Sequence, residues 1–255
     1  MTDRLAFALD AATQAGKFTL SLFQTGAPVD MKEDETPVTA ADKGAERLIR
    51  ERIARAYPND YILGEEEGGD KSVPNRWIID PIDGTKAFVS GVPTYSTLLS
   101  YEVDFRPVVA VCYFPALDEI VYAETGSGAF FQGRPCRVSA KSKVAGSVLC
   151  CGGLKQMVDN RRMDAFLQLS QIALATRTWN DAYGHALVAT GRVEAMLDPQ
   201  VSLWDVSAMA LIVREAGGQF TNFRGEDALI PRPDGSYEAI SSNGLVLPEI
   251  LAAYA

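Results

Sequence analysis

The run Trp77-Ile78-Ile79-Asp80-Pro81-Ile82-Asp83-Gly84-Thr85-Lys86-Ala87-Phe88 restricts the fold more than any other stretch of the chain. Its first three residues form a short apolar run of the kind that fills a buried strand, and Pro81 argues against a helix through the two aspartates. Gly84-Thr85 then reads as a helix start. A strand would therefore deliver two carboxylates, three residues apart, into a loop that turns straight into a helix. Such a pair can aim its oxygens at shared hard cations, and the Gly84 and Thr85 amides can receive a phosphate oxygen. Taken alone, the same residues would also suit a solvated acidic turn closing a strand.

The flanking pattern predicts layers of helix and sheet. Asp3 to about Phe23 carries Leu5, Leu9, Ala12, Ala15 and Leu22 at near-helical spacing without proline. Thr39 offers a cap for a second helix running to about Tyr57, with Leu48, Ile49 and Ile53 on one stripe, Pro58 beyond its end and Asp42 in its first turn. Tyr61–Leu63, Trp77–Ile79, Tyr95–Val103, Val108–Phe114 and Ile120–Ala123 then read as strands of an antiparallel sheet, punctuated by Pro107, Pro115, Gly126, Gly128 and Gly133. The later part alternates: strand Ser147–Cys151, helix Arg161–Ala173, helix Tyr183–Thr190, strand Val193–Leu197, helix Trp204–Glu215. The fold class is thus a layered α+β or α/β arrangement. One compact unit over 1–255 is expected, with sub-domains at 1–143 and 144–255 and a junction near Lys141–Gly146.

Composition narrows the partners. A net charge of -9 argues against nucleic acid and against an anionic membrane surface, since both would repel the chain. No apolar stretch approaches the ~20 residues needed to span a bilayer, and no basic segment precedes an apolar one at the N-terminus, so a cytoplasmic location is expected. Cys112, Cys136, Cys150 and Cys151 lack metal-ligand spacing and are expected as buried, reduced thiols. With a single histidine in the chain, the metal chemistry open to it is carboxylate-based, which suits Mg²⁺.

Beyond the Asp80 run, Gly64-Glu65-Glu66, Leu203-Trp204-Asp205-Val206, Glu215-Ala216-Gly217-Gly218 and Pro37-Val38-Thr39-Ala40-Ala41-Asp42 occur in an order that resembles the inositol monophosphatase superfamily, from about Thr36 to Gly244. The resemblance implies a five-layer αβαβα sandwich and a lithium-sensitive, Mg²⁺-dependent phosphomonoesterase, with two or three ions and commonly a homodimer. It implies Glu65, Asp80, Asp83, Asp205 and the Ile82 carbonyl as metal ligands. Thr85 and Asp42 would orient a metal-activated water with Glu65 near it, and Gly84 and Thr85 would hold the phosphate. Taken singly, Asp42 is an acidic first-turn residue, Thr85 a cap and Asp205 a carboxylate favoured by a helix dipole.

Within the superfamily, Trp179 to Gly191 and Asp198-Pro199 look closest to the histidinol-phosphatase branch, so a small phosphorylated substrate, L-histidinol phosphate, is expected. Inositol 1-phosphate or a broader range of sugar phosphates is the alternative. Ser202, where animal inositol monophosphatases usually carry histidine, and the short loop between Glu65 and Trp77 favour the first. Asp181 and Asp198 are the substrate candidates, with Trp179, Asn180 and Tyr183 beside them; a cationic alcohol suits two carboxylates, although hydroxyls could donate to them as well. His185 reads as a packed or surface helix residue, and Lys86 as either a point charge for the phosphate or an exposed first-turn lysine. A regulator that had lost catalysis should show a broken ligand among the four acids, and none is broken. A prenyl-diphosphate enzyme should carry its aspartates on a helix, which Pro81 opposes.

Overall fold

The computed structural model describes residues 1–26, 29–31 and 37–255, so Thr36, where the resemblance begins, lies outside the described residues. Helix α1 (Asp3–Leu22) is capped by Thr2, whose Oγ accepts the Leu5 amide, and buries Leu5, Ala8, Ala12, Ala15 and Thr19 at helical spacing. A short antiparallel pair, β1 (Val29–Met31) and β2 (Pro37–Thr39), leads into α2 (Ala40–Ala56). Thr39 caps α2 as expected, and Asp42 completes a capping box by accepting the Thr39 amide at 2.7 Å.

Strands β3 (Tyr61–Gly64), β4 (Arg76–Asp83), β5 (Ser96–Val103), β6 (Arg106–Phe114), β7 (Glu119–Glu124), β8 (Gly128–Phe131) and β9 (Arg134–Cys136) form one sheet in chain order, with the short helix α3 (Thr85–Val89) after β4. The sheet departs from expectation in two ways. First, β3 and β4 run parallel, because residues 65–75 carry the chain back across the sheet rather than turning a hairpin. Second, β4 does not stop at Ile79. It continues, buried throughout, to Asp83, with a bulge between Asp80 and Asp83 where it pairs with Leu98 and Ser96 of β5. The acidic segment is thus a bulged strand end and not a loop. Short β8 and β9 escape a sequence reading because glycines and a proline break their pattern.

The later part supplies β10 (Val148–Cys151), α4 (Leu154–Asp159), α5 (Met163–Ile172), β11 (Ala175–Arg177), α6 (Asp181–Ala189), β12 (Ala195–Val201), α7 (Leu203–Glu215), β13 (Gln219–Thr221), β14 (Tyr237–Ser242) and α8 (Leu247–Ala253). Its sheet has the order β11-β10-β12-β14-β13. The helix expected from Arg161 begins at Met163, since Arg161 takes φ +57° in the link from α4. Asp198-Pro199 lies inside β12, which bulges against β14 between Asp198 and Val201.

Five layers result. Leu5 and Ala12 of α1 and Ile49 and Ile53 of α2 pack on Trp77, Ile79, Leu99 and Val111, one face of the first sheet. Leu98, Cys112 and Phe114 on its other face meet Ala186 of α6 and Val206 and Met209 of α7, which in turn touch Phe220 and Ala239 of the second sheet. Met157, Phe166, Leu247 and Ile250 close the outer face over Leu149, Leu197 and Ile240. Val206 to Val213 are all buried because α7 has a sheet on each side; such a helix needs no polar face. Each such large side chain removed from water contributes about 1.5–3 kcal/mol. Cys112, Cys150 and Cys151 are buried free thiols as expected, whereas Cys136 is only half-buried. Among the described residues no helix is long and apolar enough to cross a membrane.

Candidate active site

The bulged end of β4 meets the first turn of α7 at a cluster of acids. Asp80, Asp83 and Asp205 each bring a carboxylate oxygen within 4.8 Å of the other two. Burial, and then the charges of Glu65, Asp83 and Asp205, push the Asp80 pKa well above the usual carboxylate range. Asp83 is raised by burial and by Asp181 and Asp205, even though its Oδ2 accepts the Ala182 amide at 2.8 Å and Ser96 Oγ at 3.2 Å. Asp205 is raised to about 7, chiefly by burial; the Ser202 amide, 2.7 Å from its Oδ2, works in the opposite direction. Glu65, in the turn after β3, acts on both Asp80 and Asp205 but is not one of the three within 4.8 Å.

This arrangement fits a hard divalent cation. The converging donors are all carboxylate oxygens, and Asp80 Oδ1 is buried with no hydrogen-bond partner among the described residues, which in a chain without a compensating cation is costly. Two buried networks set the cluster's frame. Glu46 on α2, one helical turn beyond Asp42, accepts the amides of Glu66 at 2.7 Å and Glu67 at 3.0 Å and the Arg50 Nε at 2.8 Å. Arg50 Nη2 also donates to Gly68 O at 2.5 Å, so the whole turn bearing Glu65 is gripped from α2. Gly64 makes room for this: a Cβ there would lie 2.1 Å from Glu46 Oε1. On the other side, Arg76 Nε donates to Glu102 Oε2 at 2.9 Å, and Ser207 Oγ, two residues after Asp205, donates to Glu102 Oε1 at 2.8 Å. That pair ties α7 to β4 and β5.

Thr85 and Asp42 meet as the resemblance implies. Thr85 Oγ lies 3.3 Å from Asp42 Oδ1 and 3.1 Å from Ile82 O, so its single proton points inward and its lone pairs stay available to accept. Asp42 is buried and its Oδ2 also accepts Thr39 Oγ at 2.6 Å, so the cap and the contact to Thr85 coexist in one carboxylate. Gly84 takes φ +79° at the start of α3, a left-handed conformation, and a Cβ there would come 2.9 Å from Asp181 Oδ2.

Next to the cluster a cavity of about 90 Å³ is lined by Asp83, Asp181, Asp198 and Asp205 together with Gln156, His185, Gln200 and the Ala182 and Val201 positions. Both substrate candidates, Asp181 and Asp198, are therefore brought to it. Trp179, Asn180 and Tyr183 are not among its lining residues; Trp179 is exposed and Tyr183 packs edge-on against Phe114 in the core. Asp181 is raised to about 6 by burial, which the exposed Lys86 partly offsets. Asp198 is only 5% exposed and raised by burial and by Asp181 and Asp205, and its carboxylate makes no hydrogen bond to a described residue. His185 is buried at the cavity wall with Nδ1 2.8 Å from Ser241 Oγ, and burial lowers its pKa to about 3, so the ring is neutral. Sequence reasoning misses Glu46, Gln156 and Gln200. Only Glu46 carries a signal, its i, i+4 spacing from Asp42 on one helix face.

Residues 1–253 match the model of the inositol monophosphatase family. The chain belongs to the inositol monophosphatase family. Members are metal-dependent phosphoric monoester hydrolases, and the acid cluster described above accords with that chemistry. Among curated relatives, the family member named histidinol-phosphatase in Chlorobaculum parvum is 41% identical, over 99% of this chain and 97% of the relative. The histidinol-phosphatase of Streptomyces coelicolor is 40% identical, over 97% and 92%. Among solved structures, an IMPase from Thermotoga maritima superposes with a TM-score of 0.89 at 32% identity, over 99% of this chain and 96% of the other. This inositol monophosphatase fold is thus the layered sandwich that the resemblance implied.

Proposed function

We propose that this enzyme hydrolyses L-histidinol phosphate to L-histidinol and phosphate, with Mg²⁺ as the metal. The observation that carries the substrate is the pair Asp181 and Asp198: two carboxylates on a small cavity beside the metal-type cluster, one of them buried and making no hydrogen bond to a described residue. A buried carboxylate without a donor gains most from a cation. Histidinol phosphate supplies an ammonium there, whereas inositol offers hydroxyls alone. The names of the curated relatives point the same way.

In this reading Glu65, Asp80, Asp83, Asp205 and the Ile82 carbonyl hold two or three ions. When bound, such cations neutralise phosphoryl charge, make water a stronger acid and stabilise a departing alkoxide. The chain's residues do the rest. Thr85, its proton turned toward Asp42 and Ile82, accepts from the attacking water and aims it; Glu65 stands beside that position as a second acceptor. The Gly84 and Thr85 amides hold the phosphate, helped by the missing Cβ at Gly84. Asp83 also anchors the Ala182 amide, so the strand carrying the acids and the helix carrying Asp181 are joined through one carboxylate.

A cytoplasmic homodimer completes the proposal. Support for the dimer comes from α4, the end of α5 and the link to the edge strand β11, which leave Leu154, Val158, Ile172 and Leu174 exposed, the last at 71%. Sedimentation of the purified chain tests it. For the substrate, the test is kcat/KM for L-histidinol phosphate against inositol 1-phosphate with Mg²⁺ present. A ratio above about 100 is expected, and a ratio near one would replace the reading with a general phosphatase.

A further inference from the structure

Asn160 lies outside the cavity yet braces two of its walls. Following α4, its Nδ2 donates to Gln156 O at 3.0 Å and to Gln200 Oε1 at 3.1 Å, and its Oδ1 accepts from Arg232 Nη1 at 2.8 Å. Arg232 Nη1 also reaches Pro199 O at 3.2 Å, and Gln156 Nε2 donates to Gln200 O at 3.3 Å. Helix α4, the end of β12 and the Arg232 segment are thereby fastened at one point. Both glutamines line the cavity with Asp181 and Asp198.

Among the described residues, these bonds leave one polar group of each amide for a ligand. Gln156 spends its NH₂ on Gln200 O and keeps Oε1 as an acceptor; Gln200 spends Oε1 on Asn160 and keeps its NH₂ as a donor. A neutral imidazole presents one N–H and one bare nitrogen, the complementary set. We propose that Gln156 and Gln200, braced by Asn160 and Arg232, recognise the imidazole of the alcohol half while Asp181 and Asp198 take its ammonium. This rests on the histidinol phosphate reading above. The brace matters because free glutamine side chains lose rotamer freedom on binding, and side chains already fastened lose less. Asn160 is a positioning residue, since it touches the glutamines and not the substrate.

The experiment compares kcat and KM of the Mg²⁺-loaded enzyme for L-histidinol phosphate and for L-alaninol phosphate, which keeps the phosphate and ammonium but carries methyl in place of the imidazolylmethyl group. Asn160→Ala and Gln156→Leu should each raise KM for L-histidinol phosphate about tenfold, with kcat changed by less than about twofold. The constants for L-alaninol phosphate should move by less than about twofold in both variants. Equal losses on both substrates, or no loss on either, overturn the proposal. If Asn160→Ala folds poorly, Gln156→Leu, at a half-buried position of α4, supplies the same comparison by itself. The wild-type comparison with inositol 1-phosphate separates the two levels. An enzyme that ignores L-histidinol phosphate sinks the substrate reading, whereas one that prefers it while the variants keep their KM sinks imidazole recognition alone.

Discussion

At the acid end of the cavity, Asp80 and Asp83 sit on a strand buried along its whole length and Asp205 on a helix enclosed by two sheets. At the alcohol end, Asp181, Asp198, Gln156 and Gln200 come from three elements, two of which, α4 and β12, are joined through partly exposed amide side chains. Crowding like charges costs free energy, and only a rigid, buried frame holds them at fixed separation until a cation arrives. Reading an alcohol asks for less: a few donors and acceptors, set on a rim that can vary without disturbing the core. Both ends carry raised carboxylates, but the alcohol end alone adds amide side chains, Gln156 and Gln200, fastened to one another and to Asn160.

Variants should separate the two ends. Asp83→Asn removes a charge from the acid cluster but can keep both accepted hydrogen bonds, which fall on one oxygen, so the protein should fold and lose more than about 100-fold in kcat for every phosphomonoester. Undiminished turnover would end the metal assignment at that residue. Glu46→Gln leaves the charge of Glu65 intact but weakens the grip on its turn. Mg²⁺ affinity by titration calorimetry should fall about 10-fold or more, with kcat largely restored at saturating Mg²⁺; unchanged affinity would make Glu46 a fold residue only. Asp198→Asn belongs to the alcohol end: KM for L-histidinol phosphate should rise about tenfold, while that for a small neutral ester stays near wild type. Equal effects on both esters would merge the two ends into one.

The smallest effect is on stability. Asp181 and Asp205 rise from 3.8 to about 6 and about 7. The folded chain therefore holds more protons than the unfolded one between those limits, and without divalent cation its stability falls as pH climbs through about 4 to 7. Mg²⁺ relieves the ionised cluster, so the Tm gain on adding it should reach about 4 °C at pH 8 and nearly vanish at pH 5. A gain independent of pH would detach the cation from these acids.

The acid end is legible in the sequence for a physical reason. Its carboxylates lie next to elements with strong local signals: the apolar run before Asp80, the Gly84-Thr85 helix start, and the helix read from Trp204 to Glu215, which puts Asp205 in its first turn. Even there the strand's extension through Pro81 is hidden, because a proline normally marks an edge or an end; here a bulge accommodates it. At the alcohol end Asp181 and Asp198 emerge through resemblance, but Gln156 and Gln200 do not. Their meeting depends on Asn160 and Arg232, 72 residues apart in the chain, and no periodicity encodes such a contact. Strand β14, the edge strand β13 and helix α8 are lost for the same reason, being specified by the sheet they complete.

The close approach of Gly64 to Glu46 reaches beyond this one molecule, into how such chains can change over time. An alanine at 64 would collide with the buried carboxylate, while a shorter residue at 46 would abandon the Glu66 and Glu67 amides. Neither position can drift first without damage. The two should be inherited as a unit, and in a library randomised at both, surviving clones should keep glycine wherever they keep glutamate.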